Sequence, residues 1–163
     1  MQLSLSILSL SLFSLGAFGA PQLEARQITN QHGTISAPSS GSLVSSGSQF
    51  DFHYIQSDWC HDGYSPFTVW LTNYAPSTAN VNSTGGFSEG DYTHFFGQFL
   101  AANFGLPPMS PVPPASLTLP AMKDIAQGAQ LYVSVIETAR DCPPGGVPPQ
   151  YALTTVPVTF GSA

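Results

Sequence analysis

Seven consecutive residues, Asp58-Trp59-Cys60-His61-Asp62-Gly63-Tyr64, form the densest set of side chains here that could bind or transform a ligand. Carboxylates, an imidazole and a phenol in one loop suggest three chemistries. A metal site would use His61 with Asp58 or Asp62, joined by His53 or His94, since imidazole with carboxylate suits zinc or copper. The spacing matches no closed metal motif, so no metal is expected. A glycosidase needs one acid to protonate the leaving oxygen and a second to attack or to activate water. Asp58 and Asp62 sit in a single loop with nothing in their spacing to oppose them, and no Gly-x-Ser-x-Gly elbow occurs. No catalytic residue and no cofactor are therefore assigned.

Ligand binding asks less of the same residues. Trp59, Tyr64 and Trp70 offer flat apolar faces to sugar rings, with carboxylates nearby for hydroxyls. Asp58, Trp59, His61, Asp62 and Tyr64 are the candidate ligand-binding set. The competing structural use is that Asp58, Asp62 and Gly63 shape a turn while Tyr64 and Trp70 pack. The expectation is a secreted, non-catalytic binding protein whose partner is a cell-wall polysaccharide or an extracellular protein. A small secreted enzyme or metal protein using the Asp58 to Tyr64 loop is the alternative.

The loop needs a compartment and a scaffold. Residues 1–19 read as a signal peptide: Leu3, Leu5, Ile7, Leu8, Leu10, Leu12, Phe13 and Leu15 form an uncharged apolar run, and Ala17-Phe18-Gly19 puts small residues at the cut. Residues 20–31 have no period and read as a flexible leader or propeptide, with Arg26 suited to processing. That leaves roughly 140 residues, enough for one domain, placed at 32–163. The chain is expected to be extracellular or wall-associated, monomeric and without a membrane anchor, since Val156 to Ala163 offers no hydrophobic tail. Charged residues are 7% of the chain, the net charge is −6, and Lys123 and Arg140 are the basic residues after Arg26. A phosphate backbone has nothing to grip, which excludes nucleic acid. In an oxidising compartment the two cysteines, Cys60 and Cys142, pair as one disulfide that contributes about 4–5 kcal/mol in the chain-entropy model. Asn82-Ser83-Thr84 is an N-glycosylation acceptor.

The hydrophobic pattern is that of an all-β chain. Phe50, Phe52 and Tyr54 alternate with Asp51 and His53, and Phe67, Val69 and Leu71 alternate with Thr68, Trp70 and Thr72. Leu117 and Leu119 mark a short strand. Leu131 to Thr138 is apolar on both faces, which predicts a central strand. Gln150 to Phe160 closes the domain, and Pro157 within it predicts an edge or a bulge. Tyr92 to Phe104 has helical spacing, but Gly97 and the aromatic density favour a strand at Phe95 to Leu100. Leu106 to Pro114 holds five prolines and predicts an extended crossover between two sheets.

The run from Ile35 through Pro38, Gly41 and Gly47 to Phe50-Asp51-Phe52-His53-Tyr54 resembles the start of the immunoglobulin-like N-terminal domain of fungal Ser/Thr-rich, lipid-anchored cell-wall proteins, including those of β-1,6-glucan assembly. Leu117-Thr118-Leu119-Pro120 and Leu131-Tyr132-Val133-Ser134-Val135 are similar to that family's final strands. The chain departs from the family in lacking a Ser/Thr-rich stalk and in carrying the Cys60 loop. The resemblance implies an immunoglobulin or fibronectin-III-like antiparallel β-sandwich of about seven strands, of fungal origin and close to a cell wall. In such a sandwich the loops of Cys60 and Cys142 share one end, so the disulfide is expected to staple loop to loop.

Overall fold

The computed structural model describes residues 27–140, 142 and 145–161; the expected signal peptide and the first part of the leader lie outside these. Ten strands follow one another: β1 (Gln27–Ile28), β2 (Thr34–Ala37), β3 (Leu43–Val44), β4 (Gln49–Asp51), β5 (His53–Ile55), β6 (Tyr64–Thr72), β7 (His94–Ala102), β8 (Ser116–Thr118), β9 (Gln130–Ala139) and β10 (Gln150–Phe160). The protein is all-β. Its main sheet runs β7-β6-β9-β10 through antiparallel pairs, and β1 and β3 add to β10 in parallel. Facing it are two short pairs, β2 with β5 and β4 with β8. Gln27 pairs with Gln150 and Ile28 with Tyr151, so residues ahead of the boundary expected at His32 join the main sheet.

Period-two alternation places the core. Phe67, Val69 and Leu71 of β6, Leu131, Val133 and Val135 of β9, and Val158 and Phe160 of β10 point inward. They meet Ile35, Phe52, Tyr54, Leu117 and Leu119 from the short pairs, which makes a two-layer β-sandwich. Phe50 to Tyr54, expected as one strand, is divided at Phe52: β4 pairs with β8 and β5 with β2, while the Phe52 N–H donates to the Ala115 carbonyl.

The main sheet is apolar on its outer face too. Trp70, Ile136 and Tyr151 pack there against Val81 and Phe87 from the segment between β6 and β7. This second core explains the two-sided apolarity of β9. The same segment holds a single 3-10 turn, Thr78–Asn80, capped by Ser77.

β7 is longer than the expected Phe95 to Leu100, and its helix-like spacing has a local cause. Val69 pairs with Gly97 but Trp70 pairs with Phe95, so Phe96 is an inserted residue, a β-bulge. The insertion sends Phe95 to Trp70 on the outer face, at 4.3 Å between ring centres, and Phe96 to Phe50 on the inner side, at 5.8 Å. Gly97 takes φ +141° at the bulge, where a side chain would be strained. β7 then leads into the proline-rich crossover, which carries the chain from the main sheet to β8 in the other layer.

Pro157 lies on the outer edge of β10, as its type requires. Its carbonyl accepts from the Gly41 N–H at 2.8 Å, so its nitrogen faces the same side, away from β9, and no ladder bond is lost.

Candidate functional site

The β5–β6 loop carries the residues singled out by sequence, and two buried polar groups fix it from below. Glu137 of β9 is 4% exposed and accepts from the Tyr54 hydroxyl (2.6 Å), the Ser57 hydroxyl (2.7 Å) and the Ser57 N–H (3.2 Å). Burial, followed by the negative charge of Glu137 and the hydrogen bond to it, holds the Tyr54 phenol far above the ordinary tyrosine range. Asn103, 1% exposed at the end of β7, donates to the Asp62 carbonyl (2.6 Å) and the Ser65 hydroxyl (2.9 Å), and its side-chain oxygen accepts from the Gln56 amide. The Asn103 N–H also donates to the Gly63 carbonyl at 3.0 Å. Both ends of the loop are therefore tied to one buried amide.

The disulfide closes the arrangement. Cys60, in this loop, is bonded to Cys142, in the β9–β10 loop, with Cα atoms 5.4 Å apart. It links two loops at one pole of the sandwich, as expected, and does not cross the core. Three non-glycine residues have positive φ among the described residues: Asp58 (55°), His61 (55°) and Phe104 (54°). Left-handed backbone at a bulky residue is costly, and such residues gather at ligand-contacting sites. Here two of the three touch, since the His61 ring stacks on that of Phe104 with centres 5.9 Å apart and planes 11° from parallel. Phe104 is 60% exposed, so the pole holds out a flat aromatic surface.

The candidate residues divide. Asp62 and Tyr64 line a cavity of about 480 Å³ together with Gln98, Leu100, Met109 and Arg140. Tyr64 is oriented by its hydroxyl, which donates to the Pro107 carbonyl at 3.0 Å. Asp58, Trp59 and His61 do not line that cavity: Asp58 is exposed and its carbonyl closes a turn onto His61, Trp59 is half-buried, and His61 stands on Phe104. Trp70 offers no face to a ligand, being enclosed by Phe87, Tyr92 and Phe95. The two acids thus do not oppose each other across this cavity. Asp141, beside Arg140, lies outside the described residues.

The histidines weighed as metal ligands are dispersed. His53 shares a hydrogen bond with the Ser36 hydroxyl, and His94 lies edge-on to Phe96, where burial lowers its pKa below the ordinary imidazole value. No group of three His, Cys, Asp or Glu suited to a metal exists among the described residues. The Asn82 side-chain oxygen accepts from the Thr84 N–H (2.9 Å), the Thr84 hydroxyl (2.8 Å) and the Gly86 N–H (3.1 Å), which folds the acceptor triplet into a turn at the surface.

Sequence reasoning did not reach Gln98 or Met109, nor a second cavity of about 500 Å³ between β4–β5 and the proline-rich crossover. The signal for the latter was present in the crossover itself, where Val112 is an apolar residue that Pro111 and Pro113 keep out of any strand. The chain matches no protein-family model, and no curated protein sequence is significantly similar to it.

Proposed function

We propose that this chain is a secreted, non-catalytic binding domain of the fungal extracellular space or cell wall, of immunoglobulin-like type, and that it recognises carbohydrate at its disulfide-stapled pole. One observation carries the reading: Asp62, on a loop fixed by the Cys60–Cys142 bond and by Asn103, and Tyr64, at the start of β6, share a cavity with Gln98 and Arg140. Carboxylate, amide and guanidinium are planar groups that hydrogen-bond pairs of hydroxyls, and an aromatic ring beside them suits the apolar face of a sugar. The stacked His61 and Phe104 rings, outside that cavity, offer a further apolar surface at the same pole. Low charge and a hydroxyl-rich composition fit a wall environment, and the disulfide fits an oxidising compartment. No helix among the described residues is long and apolar enough to cross a membrane. Asn82, in its surface turn, is the glycan acceptor.

Mature protein applied to a glycan array and to insoluble wall polymers tests the reading. Saturable retention is expected, and it is lost in Tyr64→Ala and in Arg140→Ala while both variants melt like the parent. Release of soluble sugar, or uptake of one equivalent of metal, would replace it with the enzyme or metal-protein alternative.

A further inference from the structure

The cavity between β4–β5 and the proline-rich crossover is the larger of the two and shares Leu100 with the first. Its volume, about 500 Å³, falls in the range of small-molecule sites, which are mostly apolar with a few placed polar groups. Phe52, Ala101, Val112 and Pro113 supply apolar surface, and Asp51 stands among the lining residues as a carboxylate. We propose that this cavity binds a small amphiphilic amine, its hydrocarbon part against the crossover and its ammonium beside Asp51.

Two features make the site ready-made. The crossover is tied to both layers by backbone bonds, from the Leu100 N–H to the Pro111 carbonyl at 2.8 Å and from the Phe52 N–H to the Ala115 carbonyl at 2.9 Å. Between those ties Pro113 and Pro114 have fixed φ, so the wall stands without the ligand and little ordering cost falls on binding. Val112, half exposed, extends the apolar wall to the lip.

Charge selects the occupant. Asp51 is exposed and has no basic partner among the described residues; Lys123 and Arg140 do not line this cavity. His53 lines it as well, with its Nδ1 engaged by Ser36. A chain of net charge −6 with a carboxylate at the lip repels an anionic amphiphile and attracts a cationic one.

The test uses the full mature chain at about pH 8, where an alkylamine is protonated and an alkanoate is ionised. Nile red, a neutral apolar fluorophore, reports occupancy and is displaced by octylamine, octanol or octanoate, which share one chain length. Octylamine is expected to displace the dye at about tenfold lower concentration than octanoate, with octanol between them. In Asp51→Asn the three should converge while dye binding persists. Ala115→Trp, which fills the cavity and keeps the backbone carbonyl that anchors the crossover, should abolish dye binding without lowering the melting temperature. Equal displacement by octanoate, a preference that survives Asp51→Asn, or dye binding that survives Ala115→Trp would each overturn the proposal. Loss of sugar retention on the array, with this ranking intact, would remove only the carbohydrate reading.

Discussion

Tyr54 and Glu137 show how one residue pair links the core to the candidate loop. The Tyr54 ring packs on Phe67 in the inner core, and its hydroxyl accepts from the Gly33 N–H (3.1 Å) while donating to the carboxylate that also holds Ser57. Tyr54→Phe leaves a buried carboxylate short of one donor, and should cost about 1–3 kcal/mol in urea unfolding near neutral pH. Its pH dependence follows from the raised phenol. Below about pH 10 the tyrosine is protonated in both states and its contribution is complete. Above that the unfolded chain releases the proton while the folded chain keeps it, so stability falls as pH rises. Unfolding midpoints measured from about pH 9 to 11 should therefore drop steeply in the parent and less steeply in Tyr54→Phe. None of this was legible in the sequence. Glu137 stands in a run that reads only as a buried strand, and Asn103 reads as the tail of an ambiguous segment; their partners, Ser57 and Asp62, come from another part of the chain.

At the scale of elements, legibility followed local pattern. Phe67-Val69-Leu71 and Leu131-Val133-Val135 alternate with period two, so β6 and β9 could be read directly, and the pair of cysteines determined the staple. β1 and β3 could not be read, because two-residue strands have no period and exist through the edge of β10. β7 was read short because its bulge mixes the two faces. The candidate site was half legible: its loop has a distinctive composition, while its cavity also depends on Gln98 of β7 and Met109 of the crossover. Gly33 shows how tightly the chain leading into β2 lies against β5. A Cβ there would lie 2.1 Å from the Ile55 carbonyl oxygen and 2.6 Å from the Tyr54 hydroxyl. Gly33→Ala must displace backbone, and is expected to lower stability by more than about 2 kcal/mol, with a matching fall in melting temperature.

For the whole molecule, the Cys60–Cys142 bond closes a separation of 82 residues, spanning three of the four long strands. Replacing both cysteines by serine should lower unfolding free energy by about 4 kcal/mol, because the loop is then free in the unfolded chain. The fold itself is expected to persist at low temperature, since the bond lies at a pole and both apolar cores are intact without it. Circular dichroism and urea titration check the two statements together. If binding at the stapled pole depends on a fixed loop, this variant should also lose sugar retention at temperatures where it remains folded.

Pro157 governs how copies of this chain behave toward one another. β1 and β3 pair only with the two ends of the outer edge of β10, and between them the edge is met by single bonds from the chain around Gly33 and Gly41 rather than by a continuous strand. A proline there presents no hydrogen to a newcomer, and its carbonyl is already taken by Gly41. Pro157→Thr restores the missing donor on a strand rich in β-branched residues. Concentrated samples of that variant should sediment as oligomers and bind thioflavin T, while the parent stays monodisperse under the same conditions. An unguarded edge would do most harm wherever copies of the chain are concentrated.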